Sequence, residues 1–180
     1  MISYLNSRRI LNKGKIKIKN ETILSVNSLN RVCSKNIYAK FNYPSGDNAA
    51  FDGYAINSND TKNLNRNKSK AFKIIGSISA GKKPLNKRIN KFEAVEIMTG
   101  GIIPKGFDTI IPIEQIIFYP DKKNHKFIVI NKKIDKYNHV RFAGSDFKKK
   151  ELVIKKNTLI LPNHILALKT LGIKNISVKK

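Results

Sequence analysis

DNAAFDGYAI, residues 47–56, sets two carboxylates, an asparagine and a glycine around a small apolar run. Asp47 and Asp52 stand five apart in a segment that cannot be a long regular helix. It reads as part of a structured loop over residues 44–54. Asn48 and Asp52 can engage backbone donors, ligand hydroxyls or the water shell of a metal, and Gly53 lets the chain turn or approach a ligand without a Cβ. The plainer reading has both aspartates capping turns while Phe51 and Tyr54 fill a core.

Working outward, Tyr4 to Leu11 predicts a short helix with Leu5 and Ile10 or Leu11 on its apolar side. KIKIKNETILSV reads as extended chain, with Ile16, Ile18, Ile23 and Val26 inward. SLNRVCSKNIYA shows near-helical spacing of Leu29, Val32, Cys33 and Ile37, with Asn27 as its cap. Cys33 is expected in or near a core. Tyr43-Pro44 should stop that helix. Residues 57–70 carry few apolar side chains and predict a mobile excursion. AFKIIGSISAG predicts a strand with a bulge at Gly76, then a turn over 81–84. Ala94–Met98 is a further strand. Residues 102–120 read as turn, strand, kink at Pro112, strand, and HKFIVINK as another strand. The last part gives a strand at ELVIKK, then a helix around Ile165–Leu171 capped by Asn163 and ended by Gly172, then the start of a strand at ISVKK. The class is mixed, mainly β with short helices.

Charge bounds the function. The chain has 36 Lys plus Arg against 12 Asp plus Glu, a net +24. Such a field attracts polyanions. The basic residues are nevertheless spread along the whole chain, no zinc-finger, helix-turn-helix or aromatic RNA-binding pattern accompanies them, and AT-rich codons account for abundant Lys, Asn and Ile. A solvated lysine surface that helps attract a small anionic ligand fits better than a nucleic-acid module. The 41% apolar fraction argues for a folded chain. A single cysteine excludes an intrachain disulfide, and no run reaches membrane-spanning length or resembles a signal peptide. A cytoplasmic location is expected.

Two more glycine-acid segments carry chemistry. MTGGIIPKG, residues 98–106, places the Thr99 hydroxyl beside the backbone N–H groups of Gly100 and Gly101, a nest suited to an oxyanion. It lacks the ending of a Walker loop. FAGSDF supplies Gly144, Ser145 and Asp146. The carboxylates permit Mg²⁺, but their spacing specifies no metal. His125, His139 and His164 are too scattered for a zinc motif, and no serine or cysteine stands beside a recognisable base.

Four blocks in order now carry a resemblance: residues 28–56, SISAGKKP at 77–84, EAVEIMTGGIIPKGFDTIIPIEQ at 93–115, and VRFAGSDFKKKELVIKKNTLILPNHILALKTLG at 140–172. Together they resemble the N-terminal half of the molybdopterin molybdenumtransferase family, the bacterial MoeA proteins and the gephyrin E domain. The resemblance implies insertion of molybdenum from molybdate into adenylated molybdopterin, assisted by Mg²⁺ or another divalent cation, by a homodimer. It implies an elongated β-containing domain I over 1–43 and 139–176, with a small β-rich domain II, 44–138, inserted. Residues 177–180 would begin a molybdopterin-binding domain missing here and carried on another chain in a split enzyme.

By this resemblance Asp52 and Thr99 are the catalytic pair. Asp47, Asn48, Gly53, Gly100, Gly101, Ser145 and Asp146 fall at substrate-binding positions, and Glu114 and Gly144 at structural or cleft positions. Asp52 would orient the adenylated pterin or the molybdate-bearing end, and Thr99 with the two glycines would bind an oxyanion. Ala49 stands where the family has serine, Phe51 where it has methionine, Gly101 where it has alanine, and Ser145 where an acid is common. Ala49 thus lacks a hydroxyl that would help hold Asp52. Two other readings remain: a non-catalytic dimerisation or structural fragment of the same family, and a basic nucleic-acid-binding module.

Overall fold

In the computed structural model, residues 2–14, 18–123 and 126–180 are described. Ile16 and His125, both named above, lie outside them. Twelve strands and two α-helices make the chain mainly β among the described residues. They sort into two compact units, residues 1–40 with 150–180, and residues 41–149.

In the first unit, α1 (Tyr4–Lys13) begins at Ser3, whose hydroxyl accepts the Asn6 N–H at 3.3 Å. It buries no residue: Leu5, Ile10 and Leu11 are all exposed, so the apolar side has no core beneath it. β1 (Asn20–Leu24) pairs antiparallel with β12 (Asn175–Lys179). Residues 177–180 therefore belong to this unit. Ile18 and Val26 are exposed, contrary to their expected inward placement. The predicted helix over 28–39 does not form. That segment instead makes bridges from Val32 to Leu159 and from Cys33 to Val178, then β2 (Ile37–Tyr38). Cys33 is fully buried, and burial pushes its thiol pKa up.

The second unit opens with β3 (Asn48–Ala49) and β4 (Gly53–Ile56), followed by β5 (Lys70–Ile78) and β6 (Glu93–Ile97). Then come β7 (Thr109–Pro112), β8 (Ile117–Tyr119) and β9 (Phe127–Ile130), with β10 (Val140–Arg141) pairing β3. Six of these form one sheet in the order β7-β4-β6-β5-β9-β8. Alternation along its strands separates two apolar clusters. Tyr54, Ile56, Ala94 and Ile111 belong to one, and Ala55, Val95, Ile97 and Ile110 to the other. β5 contributes to both because the expected bulge at Gly76 is there. Its register against β6 slips by one residue between Ile74 and Ser77. Phe72 thus joins the first cluster and Ile78 the second, although both numbers are even.

Residues 57–70 are not a loose excursion. A 3-10 turn at Ser58–Thr61 is built on buried Ser58 and Thr61, and Leu64 enters the first cluster. The Thr61 hydroxyl donates to Ser58 O at 2.8 Å and accepts the Ile134 N–H at 2.9 Å, so polar side chains supply the anchoring.

The chain then returns to the first unit through β11 (Leu152–Ile154), which pairs β2, and α2 (Pro162–Thr170). α2 is not capped by Asn163, which lies inside it. Leu161 is the cap residue, proline opens the first turn, and His164 Nδ1 accepts the Leu161 N–H at 3.0 Å. Gly172, at φ +64°, ends it as expected. The second unit is three residues longer at its start and eleven at its end than the 44–138 read from the resemblance. Residues 139–149 belong to it because Val140 pairs with Ala49 and Phe147 with Tyr43.

Candidate functional site

β4 lies between β6 and β7 and runs antiparallel to both. Its first residue is therefore level with their last ones, with Gly53 opposite Ile97 and Pro112. This register gathers Asp52, Thr99 and Glu114 at one end of the sheet. Gly53 makes the close approach possible, because a Cβ there would sit 2.0 Å from Ile111 O. The Asp52 carbonyl accepts the Ile113 N–H at 3.0 Å, fixing the backbone before the side chain is placed.

Asp52 Oδ1 accepts two hydrogen bonds from one residue, the Thr99 N–H at 2.6 Å and the Thr99 hydroxyl at 2.7 Å. The backbone bond, then the hydroxyl bond, hold the carboxyl below its ordinary 3.8. Asp52 is solvent-exposed, and no ion pair engages it among the described residues. The two hydrogen bonds favour its charged form and outweigh the opposing desolvation.

The backbone nest expected at Gly100 and Gly101 does not form. The Gly100 N–H donates to Ala49 O at 2.9 Å and the Gly101 N–H to Met98 O at 2.8 Å. Gly100 at φ +79° makes the turn that consumes these donors. At Gly101 a Cβ would meet Ile97 Cγ1 at 2.8 Å and Met98 O at 2.9 Å, so glycine in place of the family's alanine has a local reason. With the Thr99 hydroxyl proton also engaged, the pair presents oxygen lone pairs to solvent. Ala49 is buried in the second apolar cluster, and Asp52 is held by Thr99 without a hydroxyl at 49. Phe51 packs edge-on against His139 with ring centres 4.9 Å apart, and the Ala50 N–H donates to His139 O at 3.0 Å.

Asp47 and Asn48 are tied to the segment after residue 139. Asp47 Oδ1 accepts the Ala143 N–H at 2.8 Å. Asn48 is buried opposite Arg141, and its Oδ1 has no donor within reach. Gly144, at φ +73°, donates to Pro44 O at 2.9 Å. Ser145 is exposed, with its N–H on Phe142 O. Both Asp146 oxygens lie 2.6 Å from Arg141 Nη2, a partner the sequence reading missed. Asp146 is thus a turn clamp. Glu114 is exposed on the 3-10 turn after β7.

The sequence reading took SISAGKKP, residues 77–84, as a block of the resemblance but gave it no place at the site. β5 runs parallel to β6, so its end, where Ile78 O accepts the Met98 N–H at 2.9 Å, lies beside Thr99. The turn that follows carries Ser79, Lys82 and Lys83. The parallel pairing is what sets this segment beside Thr99. Among the described residues no three His, Cys, Asp or Glu side chains group to hold a metal. None of the described helices is long and apolar enough to cross a membrane.

Comparison with known proteins adds to this geometry. The model of the MoeA N-terminal region, domains I and II, matches residues 2–172. The molybdopterin molybdenumtransferase of Staphylococcus aureus is 33% identical over 159 residues, covering 88% of this chain and 36% of the relative. That of Bacillus subtilis is 28% identical over 158 residues, with the same coverage. A crystal structure of the molybdopterin biosynthesis MoeA protein of Pyrococcus horikoshii superposes with a TM-score of 0.85 at 27% identity, covering 95% of this chain and 42% of that one. A second structure from that organism gives 0.79 at 30% identity, over 89% and 41%. The chain thus spans little more than a third of the curated relatives it matches. It belongs to the family of MoeA N-terminal regions, domains I and II.

Proposed function

We propose that this chain supplies the N-terminal portion of a molybdopterin molybdenumtransferase, which inserts molybdenum from molybdate into adenylated molybdopterin. The carrying observation is the Asp52–Thr99 pair at the shared strand end. Its chemistry narrows the roles. A carboxylate whose hydroxyl neighbour has already given its proton accepts bonds and attracts cations, so it does not hold molybdate or phosphate directly. One Asp52 oxygen takes both Thr99 bonds, leaving the other for Mg²⁺ or for a ligand N–H or O–H donor. Mg²⁺ is commonly held by one or two carboxylates together with substrate phosphates, and a single anchored carboxylate fits that requirement. When bound, the cation would neutralise phosphate and molybdate charge. Lys82 and Lys83, beyond β5, add positive potential at the same end. Thr99 is the positioning partner of Asp52.

The molybdopterin-binding domain belongs to the remainder of the enzyme, on the same or another polypeptide. A homodimer in the cytoplasm, with a cleft completed by that domain, is part of this reading. The test is molybdate-dependent turnover of adenylated molybdopterin by the protein extended to the length of its relatives. Asp52→Asn is expected to lower kcat by about a hundredfold or more, the scale of losing a positioned electrostatic group. Unchanged turnover would exclude an essential charge at Asp52. A second, structural role for these 180 residues by themselves would be contradicted by turnover from that piece alone.

A further inference from the structure

A cavity of about 420 Å³ lies at the end of β4 opposite Asp52. Asn57 on its wall is five residues beyond Asp52, about 16 Å of extended chain. Asp108, also on the wall, donates its N–H to Ile56 O at 3.1 Å. The cavity is therefore separate from the Asp52–Thr99 pair, and of its wall Asp47 alone stands at a position that the resemblance gives to substrate. Its volume suits a small ligand, not a polymer.

The charges on its wall are unequally available. Asp108 is spent within the fold: its two oxygens accept the Ser58 N–H at 2.7 Å and the Ser58 hydroxyl at 2.9 Å. Asp47 has one oxygen on the Ala143 N–H, with the second left over. Lys105 and Lys136 line the cavity without an ion pair among the described residues. Two ammonium groups thus face two carboxylates, equal in formal charge, and the Asp108 charge still acts on Lys136. Both carboxylates are tied to backbone N–H groups, whereas the exposed lysines can turn toward an anion. An anion that also carries a donor edge matches this mixed wall, the lysines meeting its charge and the second Asp47 oxygen its donor.

The aromatic wall is built at a conformational cost. Tyr137 has φ +65°, a region that bulky residues enter only when their surroundings impose it. Its N–H donates to Asp108 O at 2.9 Å and its carbonyl accepts the Val140 N–H at 3.2 Å, which holds it there. The ring meets Phe142 edge-on at 5.2 Å, and Lys136 Nζ lies 4.6 Å from the ring centre. Half of the tyrosine is still exposed, and Ile103 and Val140 supply apolar surface in the same cavity.

We propose that this cavity is a second ligand site for a planar heteroaromatic ring bearing a phosphate, a mononucleotide-like molecule. The ring packs on Tyr137 and the apolar wall, the phosphate is held by Lys105 and Lys136, and a ring N–H is accepted by the second oxygen of Asp47. The proposal makes no use of the Asp52–Thr99 pair.

Calorimetric titration of the 180-residue chain with guanosine 5′-monophosphate, guanosine and inorganic phosphate tests it. One saturable site is expected for the nucleotide, with both half-ligands weaker by about tenfold or more. Lys136→Met, an exposed change that spares the fold, should weaken the nucleotide by about tenfold, the loss of one charge-assisted contact. Tyr137→Phe should retain binding, and Tyr137→Ala should lose it. Amide shifts on nucleotide addition should centre on residues 103–108 and 136–140. The proposal is overturned by absence of saturable binding up to about 10 mM. It is equally overturned by equal affinity for phosphate and nucleotide, by binding indifferent to Lys136→Met, or by shifts centred on residues 52 and 99.

Discussion

The two hydrogen bonds from Thr99 to Asp52 are unequal, and that inequality can be measured. The backbone N–H contributes more to lowering the carboxyl pKa than the hydroxyl does. Thr99→Val keeps the first bond and removes the second, so the Asp52 pKa should rise yet remain below 3.8, as followed by side-chain carboxyl NMR. The sign is that of a depressed acid: its contribution to stability is present above the ordinary value and lost as pH falls through the folded value. Asp52 and Thr99 were each legible in the sequence, but their bond was not, because it joins residues 47 apart through the β4–β6 register. The glycine nest was misread because one donor is taken by β3 and the other by a tight turn. Its N–H groups find Ala49 and Met98 as acceptors, which a local pattern of glycines does not disclose.

Among elements, β4 depends most on a single side chain being absent. Gly53→Ala would drive a methyl into Ile111 O and separate β4 from β7, costing about 3 kcal/mol or more in urea unfolding. Gly81 provides the contrast. A Cβ there meets nothing within 4 Å, and Gly81→Ala should cost only about 1 kcal/mol for its positive φ. Most strands were legible from alternation, and the β5 bulge from its glycine. Residues 28–39 were not, since Leu29, Val32, Cys33 and Ile37 fit a helical period by number alone. Their partners, Leu159 and Val178, lie well over a hundred positions along the chain, and those long-range bridges override local preference. The 57–70 segment failed differently: buried Ser58 and Thr61 anchor it through polar bonds, and hydrophobic patterning does not register them.

For the whole molecule, charge is the dominant uncompensated quantity. Against a net +24, the ion pairs include Arg31 with Glu21, Lys133 with Asp135 and Arg141 with Asp146. Screening self-repulsion should therefore stabilise the protein. The thermal midpoint is expected to rise by a few degrees between about 0.02 M and about 0.5 M sodium chloride, where the Debye length contracts severalfold. A fall across that range would mean that attractive pairs outweigh repulsion. The inserted arrangement of the chain was legible only through the family resemblance. Its limits at 41 and 149 follow from pairings that composition does not mark.

Those pairings have a further consequence. On one side of the junction Ala39 exchanges hydrogen bonds with Glu151 and Lys150, and on the other Tyr43 bonds Phe147. Entry and exit of the insert therefore run side by side like the two legs of a hairpin. A tight turn grafted across the stump would bridge the gap left by deleting residues 41–149. The excised segment, its own ends adjacent, is equally suited to being closed into a ring or transplanted into a foreign loop.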